Sequence, residues 1–211
     1  MDYSQYKSLE FRRKYFKLFG AAISIFPANS NDIVGYIKMK AWSLRGDVRV
    51  FKDTSMQQEI VRIGGRQIVS FNKAYEVFDS ITGNILIVIH QRSLKSDFFR
   101  DHMDITDANG NQYGYVQETS KGLALVRRWI IFVPYIGFFG DILFLFVPQT
   151  FNIMYAPNGA EPQLAGTIVH KKNPALVKMT LDTSTAEAPL DPRLNIAIVS
   201  LLCVLDAAKN K

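Results

Sequence analysis

The chain has 211 residues, 48% hydrophobic and 21% charged, which excludes a disordered or collagen-like polymer and allows a sizeable core. One cysteine excludes an intramolecular disulfide framework and a multi-cysteine zinc site, and the three histidines, His90, His102 and His170, show no close metal-ligand spacing. The 25 lysines and arginines against 19 acids, a net charge of +6, favour anionic partners without choosing between lipid head groups and nucleic acid.

Lys7, Arg12, Arg13, Lys14 and Lys17 interrupt every candidate apolar core of a secretory signal, so the expectation is a cytoplasmic protein. Arg12-Arg13-Lys14 beside Tyr15, Phe16 and Phe19 suits an anionic membrane surface, or a solvated segment leading into a strand. Short strands punctuated by turn chemistry follow. Residues 23–26 and 33–39 flank a weak hairpin turn, and further strands are expected at 47–52, 59–63 and 66–70, with Gly64-Gly65 as a turn between the last two. Strands 74–79 and 85–89 flank Thr82-Gly83-Asn84, strands 103–107 and 113–117 flank Asn109-Gly110, and strands 150–155 and 164–169 flank Asn158-Gly159. Glycine in these short polar links is the strongest local hairpin signal. A last strand is expected at 176–181.

Lys38 and Lys40 alternate on one strand, with Arg45, Arg49 and Lys52 after them and Lys171, Lys172 and Lys178 later. A closed sheet that brings these near Arg12, Arg13 and Lys14 would make a head-group patch, each base contributing on the order of 1 kcal/mol at an anionic surface. The alternative is an ordinary scatter of exposed lysines. Asp104 and Asp107 flank a turn and are expected to bond its backbone.

Residues 129–148 carry one charge, Asp141. The run is long enough to cross a bilayer, yet Pro134, Gly137 and Gly140 break a straight helix and Asp141 would sit in the hydrocarbon. Arg127, Arg128 and Trp129 suit a head-group interface. Shallow insertion through Trp129, Ile130, Phe132, Phe138, Phe139, Leu143, Phe144 and Phe146 therefore fits better than a span, with buried core as the competing reading. At the C-terminal end Asp191 is a good helix cap, Pro192 a good first residue, and the segment from Leu194 to Leu205 is apolar nearly all round. Such a helix, at about 191–208, must be enclosed, and Cys203 is then an inert packing residue. About a dozen strands hide their edges by closing into a barrel, and this helix fills the lumen.

Asp191-Pro192-Arg193-Leu194-Asn195 before the apolar helix is one part of a familiar pattern. Tyr75-Glu76-Val77-Phe78-Asp79 with Thr82-Gly83, Asp107-Ala108-Asn109-Gly110, and Phe151-Asn152-Ile153 with Asn158-Gly159 and Ala165-Gly166 are the other. Together they resemble the LURP-one-related and phospholipid-scramblase-like proteins, whose tubby C-terminal fold is a twelve-stranded barrel around a hydrophobic helix. The resemblance implies lipid-linked roles: phosphoinositide binding in tubby-type barrels, calcium-dependent lipid movement in scramblases. The chain departs from scramblases in two places. Residues 129–148 hold no cysteine where scramblases carry a lipidated stretch, and 181–187 hold only Asp182 and Glu187 where calcium binding needs several carboxylates.

No Gly-x-Ser-x-Gly or His-Glu-x-x-His occurs, and Ile63-Gly64-Gly65-Arg66 lacks the Lys-Ser/Thr ending of a phosphate loop. The expectation is a single barrel domain over 1–211 with an apolar insertion at 129–148. It would be non-enzymatic and peripherally membrane-associated, without cofactor or metal, and would bind anionic phospholipid. The head-group candidates are Arg12, Arg13, Lys14, Lys38, Lys40, Arg127 and Arg128. A scramblase is one alternative, and a soluble scaffold docking a protein partner through 129–148 is another. No nucleic-acid partner is expected, since no recognised motif is present.

Overall fold

The structure is a computed structural model that describes residues 3–14, 22–39, 47–66, 73–91, 102–119, 148–172, 176–188 and 190–209. Alternating apolar residues build β1 (Ser8–Lys14), β2 (Ala22–Pro27), β3 (Gly35–Met39), β4 (Val48–Phe51), β5 (Glu59–Arg66) and β6 (Lys73–Asp79). The second half supplies β7 (Ile85–Gln91), β8 (His102–Thr106), β9 (Gln112–Glu118), β10 (Gln149–Tyr155), β11 (Gln163–Lys172) and β12 (Leu176–Asp182). Helix α1 (Pro192–Lys209) follows. Each strand pairs antiparallel with its neighbours in sequence, and β1 pairs with β12 from Ser8↔Asp182 to Lys14↔Leu176. The result is a closed twelve-stranded barrel, which leaves no strand edge to protect.

The inward set includes Leu9, Phe11, Ile23, Ile25, Ile37, Val50, Ile63, Val77, Ile89 and Ile168, all buried. They close around α1, whose Leu194, Ile196, Ala197, Ile198, Val199 and Leu201 are buried on every side. Ser200, also inside, donates its hydroxyl to the Ile196 carbonyl at 2.6 Å and so keeps its polarity within the helix. Asp191 caps the helix as expected, its carboxylate accepting the Arg193 backbone N–H at 2.9 Å. Pro192 occupies a first-turn position that has no donor to lose.

Alternating strand directions sort the connections onto two rims. The entry rim, where α1 begins, carries 28–34, 52–58, 80–84, 107–111 and 156–162, and β12 leads into 183–191 there. The far rim receives the strand ends joined by 15–21, 40–46, 67–72, 92–101, 120–147 and 173–175, which lie outside the described residues.

One device recurs at the entry rim. The carboxylates of Asp53, Asp79, Asp107 and Asp182 accept the N–H two residues on, from Ser55, Ile81, Asn109 and Ser184, at 2.8–2.9 Å. Gly83, Gly110 and Gly159 have φ of 73°, 86° and 78°, the left-handed backbone these turns require.

Three expectations need correction. Residues before Tyr15 form a full strand, β1, paired on both sides. Gly64-Gly65 is not a turn: β5 runs straight through it, with Gly64 opposite Glu76 and Gly65 opposite Tyr75. A Gly64 Cβ would lie 3.4 Å from a Phe78 ring carbon, an ordinary contact, and both glycines hold extended ladder positions rather than a bend. Asp104 does not serve its turn; it meets His102 Nε2 at 2.9 Å, and the His102 ring stacks on Tyr115. Residues 67–70 of the expected strand at 66–70 lie outside the described set.

Arg193 ties α1 to the wall, bonding Asp191 at 2.7 Å and Asp79 at 3.0 Å. The Ile81 N–H holds the Asp79 carboxyl below its ordinary range, with Arg193 helping against the opposing effect of burial. A carboxyl depressed on folding stabilises above the unfolded value, about pH 4, and that stability is lost as pH falls through the lower folded value. Asp79→Asn is therefore expected to lower the urea midpoint near neutral pH and to lower it less at about pH 3, since the loss shrinks as pH falls below about 4. An equal loss at both pH values would show that the carboxylate charge has no part.

Candidate functional site

Charge divides between the sequence segments of the two rims. The sequence segments that join the strand ends of the far rim hold Lys17, Lys40, Arg45, Arg92, Lys95, Arg100, Lys121, Arg127 and Arg128 against Asp97, Asp101 and Asp141, all outside the described residues. The entry rim carries Lys7 and Lys52, with Arg193 paired to Asp191, against Asp32, Asp53, Asp107, Glu161, Glu187 and Asp191. Among the described residues, acids therefore outnumber bases at the entry rim. β9 ends and β10 begins at the far rim, and the sequence between them holds the apolar run 129–147.

The head-group candidates part company in the structure. Arg12 faces outward on β1. Its guanidinium bonds Glu10 at 2.6 and 2.9 Å, reaches Asn31 at 3.3 Å and lies 4.3 Å from the Phe26 ring centre. Lys178 of β12 pairs with the same Glu10. Burial pushes the Glu10 carboxyl up, but Lys178 and Arg12 more than offset this and hold it below the usual range.

Arg13 points the other way, because strand alternation puts it on the face of Leu9 and Phe11. Only 7% exposed, it lies 3.8 Å from Asp206 of α1 and faces the lumen rather than the outer surface. Lys14 ends β1 at the far rim, its side chain outside the described set. Lys38 is exposed on β3 opposite Arg49 of β4, which is opposite Arg62 of β5. Three cations thus form one outer row. Asp47 sits between two of them, 3.2 Å from Arg49 and 3.2 Å from Arg62, and Glu59 is 3.5 Å from Arg49. Burial raises the Asp47 carboxyl, but the two arginines bring it below its ordinary value. Arg62 escaped the sequence reading, since only strand register reveals it as the third member. Lys40, Arg127, Arg128, Trp129, Ile130, Phe132, Phe138, Phe139, Leu143, Phe144 and Phe146 lie outside the described residues.

A polar group inside the far end of the barrel also has no sequence signature. Asp206 is 3.8 Å from Arg13 and 3.8 Å from His170 Nε2, and His170 Nδ1 meets Gln149 Oε1 at 3.3 Å. Glu118, 3% exposed, ends β9, and Gln149 begins β10. β9 thus ends and β10 begins beside this buried group. Cys203, one turn away on α1, is buried with Sγ 3.3 Å from Met179 Sδ, and burial pushes its thiol up, as befits a packing residue. The entry end is closed differently. Tyr3, buried, donates its hydroxyl to the Val34 carbonyl at 2.7 Å.

Among the described residues no three or more His, Cys, Asp or Glu side chains are placed to hold a metal ion. No helix among them is long and apolar enough to cross a membrane. A family model described as LURP-one-related matches residues 33–205. Neither a curated protein nor a solved structure matches the chain. The family match runs from the connection before β3 through ten strands and most of α1, and the chain accordingly belongs to the LURP-one-related family.

Proposed function

We propose that this protein is a non-enzymatic barrel that associates peripherally with the cytoplasmic face of a membrane and binds anionic phospholipid at its far rim. One observation supports the reading: β9 ends and β10 begins at the same end of the barrel as the strands that flank the basic sequence segments 15–21, 40–46 and 92–101. Bases near an anionic surface contribute on the order of 1 kcal/mol each, and the opposite rim is acidic, so the field turns the far rim toward the bilayer. Aromatic and aliphatic side chains from the run would then enter the interface, with Arg127, Arg128 and Trp129 at head-group depth. The outer row of Lys38, Arg49 and Arg62 flanks this end and adds to the attraction. Helix α1 is enclosed by strands, so the anchoring falls to the rim rather than to the helix.

Co-sedimentation with neutral and anionic vesicles tests this. The comparison is between the intact chain and one with 129–148 replaced by a short polar loop. The intact chain is expected to prefer anionic vesicles, and to keep part of its binding at high salt. The loop variant is expected to lose the salt-resistant part. If both chains stay folded and neither binds any vesicle, the lipid reading fails and 129–148 becomes a protein-docking or core segment.

A further inference from the structure

The entry rim presents its own surface. Three large apolar side chains stand exposed among the described residues, Ile33 at 41%, Met56 at 38% and Ile81 at 82%. All three lie on this rim, on the consecutive connections 28–34, 52–58 and 80–84. Successive connections on one rim are two strand spacings apart, about 10 Å. Two turns of an α-helix cover about the same distance.

Local structure holds these side chains out. Ile81 directly follows the turn residue Ser80, and its N–H is taken by the Asp79 carboxylate at 2.9 Å. Met56 has φ of 57°, a left-handed backbone that a methionine adopts only under strain, with its N–H bonded to the Asp53 carbonyl at 3.3 Å. Asp32 precedes Ile33, and Asp53 shares a connection with Met56. Beyond this arc the rim continues acidic through Asp107 and Glu161.

We infer that the entry rim docks a basic amphipathic helix of a protein partner, its apolar residues seven apart meeting Ile33, Met56 and Ile81 in turn while its lysines and arginines face the acidic rim. Charge complementarity selects this occupant: an anionic membrane would be repelled here, and an acidic helix likewise. The surface lies at the opposite end from the far rim, so a barrel seated on a bilayer keeps it free. The inference does not depend on lipid binding.

The test uses a labelled synthetic helix of about fifteen residues, long enough to pass all three side chains. One version is built from leucine and lysine, one replaces lysine by glutamate, and one replaces leucine by serine. Fluorescence anisotropy is expected to show the leucine–lysine peptide binding the intact chain at least tenfold tighter than either control. Ile33→Ser/Met56→Asn/Ile81→Ser should weaken it about tenfold, with asparagine chosen because it tolerates the left-handed backbone. Asp32→Lys/Asp53→Lys should shift preference toward the glutamate peptide. Circular dichroism checks that each variant is folded. Vesicle binding by the apolar variant is expected to match the intact chain, which separates this surface from the far rim. Equal binding of all three peptides, no binding by any, or undiminished binding by the folded apolar variant overturns the inference.

Discussion

Asp206→Ala is expected to lower folding stability by about 3–5 kcal/mol, the usual cost of removing one member of a buried charged group and leaving the others. Asp206 sits 7% exposed between Arg13 and His170, each 3.8 Å away. Without it, the Arg13 guanidinium would face the lumen beside an alanine, where water cannot replace the lost carboxylate. The end of α1 would also lose its tie to β1 and β11. Replacing the group as a whole should behave differently, because apolar substitutes of similar volume remove the desolvation cost along with the attraction. Arg13→Met/His170→Leu/Asp206→Leu should accordingly recover most of the loss. Urea unfolding of the single and triple variants measures both. A single-variant cost below about 1 kcal/mol would mean that water reaches this end of the lumen and screens the group.

The second large effect is steric. A Cβ at Gly114 would overlap the Met154 carbonyl oxygen on the neighbouring strand, with the Met154 carbonyl carbon at 3.3 Å and Tyr155 Cα at 3.4 Å. Those are backbone atoms of β10, fixed by pairing to β9 on one side and β11 on the other. Relief requires moving strands rather than turning a rotamer, so Gly114→Ala should cost about 3 kcal/mol or more. Gly64→Ala is the control. There the added methyl would meet only a Phe78 ring carbon at 3.4 Å, which can shift, and the unfolded chain loses entropy. Its folding stability should stay within about 0.5 kcal/mol of the parent. Equal losses at both positions would refute the backbone-clash argument.

What the sequence made legible was what local chemistry decides. Gly83, Gly110 and Gly159 mark turns because only a left-handed link joins those strands. The helix announces itself through its cap and its apolarity on all sides. Contacts distant in sequence stayed hidden. Arg13 breaks the inward pattern of Leu9 and Phe11, so β1 read as solvated, and the carboxylate that accommodates it lies near the other end of the chain. Gly64-Gly65 reads as a turn by propensity, yet β6 supplies a ladder partner for each glycine. That single misreading has a large effect on the site. In a meander every additional turn sends each later connection to the opposite rim, so splitting β5 would separate residues 40–46 from residues 120–147. The basic and apolar segments could be picked from composition, but the end of the barrel at which their flanking strands finish could not, because it depends on the parity of the whole strand count.

Helix α1 is both the interior of the barrel and the element that follows every strand in the chain. During synthesis the twelve strands leave the ribosome with no centre to close around. Ser8 must wait for Asp182, and both must wait for the segment that begins at Pro192. Until then Ile23, Ile37, Ile63 and Ile89 face water on incompletely paired strands, a state prone to aggregation and suited to chaperone capture. The neighbouring hairpins are local and can pair as the chain emerges, but β1–β12 closure, lumen filling and the Arg13–Asp206 contact join distant parts of the chain and so come last.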